Sequence, residues 1–204
     1  NRAFRDAASS APYEFVEILV NEAQYGGGGI FNDQATTAVD TGFAEYVFVH
    51  EFGHHFAGLA DEYYTSDVAY ETGAAQHPEP WEPNVTALHD PARLKWRDLV
   101  EPGTPLPTLW DKEAYEKVSR EMQARRRELR EKQVPEPEID RHFRDELAWS
   151  ARTLAAMPYA GRVGAFEGAS YEAKGLYRPE LDCIMFTRDP VGFCVCGERG
   201  LRWR

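Results

Sequence analysis

The stretch from His50 to Tyr64 reads HEFGHHFAGLADEYY, and its interpretation decides the fold. From about Gly42 to Ala57, Val47, His50 and His54 recur at i, i+3 and i+7, one face of a helix that Gly58 is placed to end. Inside that helix, His50-Glu51-Phe52-Gly53-His54 is an H-E-x-x-H motif. Four residues advance a helix by about 400°, so both imidazoles leave the same side, about 6 Å apart along the axis, a span one zinc ion bridges. Glu51 flanks that face. A carboxylate there can take a proton from a water that the metal has made acidic and pass it to a departing amine. A bare H-E-x-x-H is short enough to arise by chance, so the surroundings carry weight. Gly58 turns the chain, and three residues later Asp61 is in position to return to the metal as third ligand. Glu62 is a close rival, and Glu167 in Phe166-Glu167-Gly168 is a more distant one, on the expectation of a downstream helix. His55 lies about 100° round the helix from His54 and is expected to be structural.

Around this segment, the 204 residues suffice for one sizeable domain, or one domain with a large insertion. No apolar stretch approaches the roughly 18 to 20 residues of a membrane-spanning helix. The net charge of -11 is unevenly placed: residues 1–110 hold 17 Asp and Glu against 5 Lys and Arg, and neither Lys nor Arg occurs between Asp6 and Arg93. The motif therefore lies in a negative field that concentrates cations and repels phosphate backbones, which argues against a nucleic-acid partner. Cys183, Cys194 and Cys196 cluster near the end. One disulfide with a free thiol fits them, whereas a C-x-C pair alone does not make a structural zinc site.

Residues 1–8 read as a helix tail, and the β-branched and aromatic run YEFVEILV, residues 13–20, as a strand. Gly26 to Gly29 suit an extended segment that another backbone approaches closely, with a flexible loop as the alternative; no Lys-Ser/Thr follows, so a phosphate loop is excluded. Residues 64–107, rich in Pro, Gly and Asp, are expected to be irregular, and Asn84-Val85-Thr86 matches a glycosylation acceptor by accident. Residues 111–133 predict a charged, exposed helix with Glu116/Arg120, Glu121/Arg125 and Glu128/Lys132 at i, i+4 and a thin stripe of Tyr115, Val118, Met122 and Leu129. Pro135 and Pro137 interrupt it, and residues 139–157 predict a second helix, which makes 111–157 an inserted helical hairpin.

With these residues in hand, the chain resembles the IgA-peptidase family of bacterial metallopeptidases, relatives of the metzincins. The likeness rests on HEFGHHFAGLADEYY, the glycine segment Tyr25 to Ile30, EPWEPNVT at 79–86, and the long run from Val163 to Glu198. It implies an α+β, metzincin-like zinc peptidase with a small twisted sheet over an active-site helix, residues 1–204 forming a single catalytic domain. Zn²⁺ would be the cofactor, held by His50, His54 and Asp61, with Glu51 catalytic. Met185 would be the methionine turn beneath the metal, and the glycine segment the edge strand that holds substrate by main-chain hydrogen bonds. Tyr177 or Tyr171 would donate to the oxyanion, Tyr177 being the choice. The resemblance further implies a polypeptide substrate, a host glycoprotein or immunoglobulin included, and a secreted or cell-surface bacterial protein.

Two departures from the pattern stand out. Three residues, His55-Phe56-Ala57, separate the second histidine from the glycine where most metzincins have two. Strands and a helix that open the family's catalytic domain are expected to precede position 1, so the N-terminal part is expected to be missing. Two rival readings are a non-catalytic binding module that keeps the zinc site and a zinc amidase acting on a non-peptide amide. Retention of Glu51 argues against the first, and a strand-like groove argues against the second.

Overall fold

The computed structural model describes residues 2–65 and 77–203. The expectation of irregular chain between 66 and 76 lies outside the described residues. The chain forms two compact units, Asn1–Gly58 and Leu59–Arg204, both built from helices and small sheets, so the fold is mixed α+β.

The first unit holds helix α1 (Arg2–Ala8), strands β1 (Glu17–Val20), β2 (Gly27–Ile30) and β3 (Gln34–Ala38), and helix α2 (Ala44–Ala57). The strands form one sheet in the order β1-β3-β2, with β3 parallel to β1 and antiparallel to β2. Ala35, Thr37 and Ala38 of β3 are buried, as a central strand requires. β1 is shorter than the run 13–20 predicts. Before it, Phe15 leaves strand geometry and packs its ring on Phe52, His55 and Phe56 of α2.

The glycine segment is a strand because a helix lies against it. Period-two alternation turns Gly27 and Gly29 towards α2. A Cβ at Gly27 would stand 2.5 Å from Cγ1 of Val47 and 2.9 Å from Cγ of Glu51, while Gly28, facing the other way, has room. Close backbone approach is thus the reason for these glycines, as the sequence suggests. α2 itself ends where predicted: Gly58 adopts the left-handed conformation at φ 63°, and its N–H donates to the carbonyls of Gly53 and His54.

The second unit contains the helical hairpin α3 (Lys112–Glu131) and α4 (Glu136–Ala155), the two-stranded sheet β4 (Phe166–Ala169) and β5 (Glu172–Arg178), and α5 (Val195–Arg202). Asp111 caps α3 by accepting from Ala114 N. Pro137 does not interrupt α4. It occupies the first turn, where no donor is needed, and the helix starts three residues earlier than expected. On α3 the ion pairs Glu116–Arg120 and Glu128–Lys132 form, but Arg125 turns to Glu128 at 2.6 Å instead of to Glu121. Ser119 and Gln123 join Tyr115 and Leu129 on the buried face, with Val118 and Met122 only half-buried, so the stripe is rotated from the expected one.

Phe166-Glu167-Gly168 lies in a strand, which corrects the expectation of a downstream helix there. β4 and β5 join through Ser170 and Tyr171, both at positive φ, as a tight hairpin requires. Around residues 79–86, Lys95 supplies the organisation that regular structure does not. Its Nζ donates to the carbonyls of Pro80, Glu82 and Val85 at 2.5, 2.7 and 2.6 Å and pairs with Glu79 at 3.2 Å. Asn84 is buried, with its amide fully used, so its triplet cannot be a glycosylation acceptor. Beneath the hairpin, the fully buried Arg178 guanidinium lies 4.6 Å from the Trp110 ring centre and 3.9 Å from that of Phe186.

Candidate metal centre

In the first unit, α2 brings His50, Glu51 and His54 into one cluster whose ligand atoms all lie within 4.8 Å of one another. Nε2 of His50 and Nε2 of His54 face each other at 3.2 Å. Two zinc–nitrogen bonds of about 2.0 to 2.1 Å at a tetrahedral angle separate their nitrogens by roughly 3.3 Å, so the donor set fits a single zinc ion. His50 is buried, and its Nδ1 lies 3.2 Å from the Tyr46 hydroxyl one helical turn earlier. That contact orients the imidazole so that Nε2 points to the cluster.

His55 has the structural role expected of it. Val16 N–H donates to its Nε2 at 3.3 Å, so the ring proton sits on Nδ1 and is donated to Ile30 O at 3.1 Å. Its own carbonyl accepts from Asn32 N. One ring thus anchors α2 to the chain entering β1 and to the end of β2. Glu17, on β1, is a neighbour that sequence reasoning missed. Burial first, and the Glu51 charge second, push its carboxyl up to about 7.

The other expected site residues belong to the second unit. Asp61 is buried, and its Oδ2 accepts from the Tyr171 hydroxyl. The β4–β5 turn also clasps this segment through Ser170 N to Asp61 O at 2.9 Å and Tyr171 N to Tyr63 O at 3.0 Å. Glu62 is fully buried, with Oε1 accepting from Asn84 at 3.0 Å and from the Cys194 thiol at 3.4 Å. Glu167 is committed to Lys112 at 3.1 Å and to Gly175 N at 3.1 Å. Tyr177 lies on β5, half-buried, and exchanges both backbone bonds with Thr86. Burial and the Glu167 charge raise its hydroxyl above the ordinary range. Met185 is fully buried within a tight turn closed by Phe186 N and Thr187 N on Cys183 O, and its carbonyl accepts from Glu62 N at 2.8 Å.

Tyr46 carried a signal in the sequence, because it stands four residues before His50 on the same helical face. Glu17 carried none, since its position depends on how β1 pairs. Among the described residues, no helix is long and apolar enough to cross a membrane. The model of the IgA Peptidase M64 family matches residues 1–203. No curated protein matches the chain.

Proposed function

Because the chain belongs to the IgA peptidase M64 family and is therefore a peptidase, we propose that it is a zinc-dependent endopeptidase in which Glu51 carries the proton. The observation that supports this most directly is the 3.2 Å approach of the two histidine Nε2 atoms beside that carboxylate. Zinc, when bound, supplies a Lewis acid that polarises the scissile carbonyl and makes water acidic near neutral pH. Glu51 accepts the proton of the attacking water and returns it to the leaving amine. Strand β2, an edge of its sheet among the described residues, offers main-chain groups to an extended polypeptide.

On sequence spacing, Asp61 is the third ligand we propose. In its support, Glu167 is already engaged by Lys112 and by Gly175 N. The single hydroxyl proton of Tyr171 goes to Asp61, which favours Tyr177 as the oxyanion donor. Family resemblance extends the proposal to a secreted or cell-surface bacterial protein and to host glycoproteins, immunoglobulin among them, as substrates.

Glu51→Gln is the test. Chelator-sensitive cleavage of a mixed peptide library should fall by at least about 100-fold while metal content stays unchanged. Undiminished turnover in that variant removes Glu51 from the mechanism. Asp61→Ala should lose one metal equivalent; full retention assigns the third ligand elsewhere.

A further inference from the structure

The second unit holds another set of metal-type donors, formed by residues far apart in sequence. The carboxylate of Glu62 and the thiols of Cys183 and Cys194 lie within 4.8 Å of one another. All three are buried, with relative exposures of 0%, 0% and 2%, and the cysteines are free thiols. We propose that these three residues form a second, structural zinc site that ties together the segment after Gly58, the Met185 turn and the start of α5.

Three observations carry this. The first is an orphaned atom: Oε1 of Glu62 is bonded by Asn84 and Cys194, but the buried Oε2 has no hydrogen-bond partner among the described residues. A carboxylate oxygen left so inside a protein is costly unless a cation or donor meets it.

The second is the treatment of the sulfurs. Cys183 Sγ accepts from Cys194 N at 3.1 Å and from Met185 N at 3.5 Å, and Cys194 Sγ accepts from Gly197 N at 3.3 Å. Cys194 is also the N-cap of α5. These backbone donors and the helix N-terminus favour thiolate, the form that binds metal. Burial outweighs them and pushes both thiols well up, so the thiolates form only with a cation beside them. Two thiolates and a carboxylate are a zinc-type donor set.

The third is charge. Binding exchanges two thiol protons for one divalent ion, so the net charge of the buried cluster does not change. The buried Arg178 acts on the Glu62 carboxylate with opposite charge, although burial works against that carboxylate more strongly. A cation therefore enters without leaving an uncompensated charge in the interior.

Such an ion would act on the chain's architecture. Glu62 N donates to Met185 O at 2.8 Å, and Asn84 bonds Ala60 N, Ala60 O and Glu62 Oε1. The metal would add a link from this segment to α5, which carries Cys194 at its start. It takes no part in hydrolysis, and its failure would leave the role proposed for Glu51 untouched.

The test is metal analysis with cobalt as a spectroscopic probe. In the His50→Ala/His54→Ala variant, one metal equivalent should remain, and the cobalt form should show intense near-ultraviolet thiolate-to-cobalt absorption. Adding Cys183→Ser and Cys194→Ser should abolish both, and Glu62→Gln, nearly isosteric, should weaken metal binding by about 10-fold or more. A folded double-histidine variant without metal, or thiol titration showing a Cys183–Cys194 disulfide, overturns the site. Should the variants not fold, the cobalt-loaded intact chain answers the same question: a thiolate band supports the site, and its absence overturns it.

Discussion

Gly29 stands against the carbonyl of Glu51, so close that a Cβ at Gly29 would lie 2.3 Å from that oxygen and 2.7 Å from Cβ of His54. The obstacle is helix backbone, which cannot move aside as a flexible side chain does. Gly29→Ala must therefore lift β2 from α2, at a cost of about 1 to 3 kcal/mol. Peptide hydrolysis should drop by more than the stability loss explains, because the displaced surface carries Glu51 and His54. Gly28→Ala, with 3.7 Å to Thr36 Oγ1, is the control and should stay within about 0.5 kcal/mol of the parent. Equal melting temperatures for the two variants would show that β2 is not held at this distance.

Tyr46→Phe removes a single oxygen beside Nδ1 of His50. The ring that replaces it keeps the same packing volume, so melting of the metal-free protein should hardly change. Zinc affinity should weaken by about 10-fold, since a partner on the far nitrogen fixes the ring that presents the near one. Competition against a chromophoric chelator reads this directly. An unchanged zinc dissociation constant would mean that helix packing alone orients His50.

Lys95 satisfies three carbonyls at once in a segment without a strand or α-helix. Burial lowers its pKa, against the pull of Glu79. Lys95→Met keeps the aliphatic stem but strands those carbonyls, and should destabilise the protein by about 2 to 4 kcal/mol in urea unfolding. A shift below about 0.5 kcal/mol would show that solvent replaces the ammonium without loss.

The parts of the molecule that were legible in the sequence are those whose cause is local. Spacing alone marks α2 and brings His50 and His54 to one side, and four successive glycines announce a close backbone approach. The misreadings have local causes too. Pro137 looks like a break in the sequence although a first-turn proline costs nothing, and the β4–β5 hairpin turns on Ser170 and Tyr171, where no Asn-Gly or Asp-Gly pattern signals a left-handed turn. Long-range assembly was not legible at all. Glu62 meets Cys194 across 132 positions, and no periodicity encodes that encounter.

Glu17 offers a prediction whose sign depends on pH. Both of its side-chain oxygens are buried without a hydrogen-bond partner among the described residues. Burial and the Glu51 charge raise its carboxyl from 4.5 to about 7. Between those values the folded chain holds a proton that the unfolded chain has lost, so stability falls as pH rises through that window. The contribution of the neutral form is complete below about 4.5 and gone above about 7. Glu17→Gln imitates the neutral form at every pH. In metal-free protein it should melt with the parent at pH 4 and above it at pH 8, by about 1 kcal/mol once solvent screening of this half-buried group is allowed for. An equal offset at both pH values would assign the gain to packing and not to ionisation.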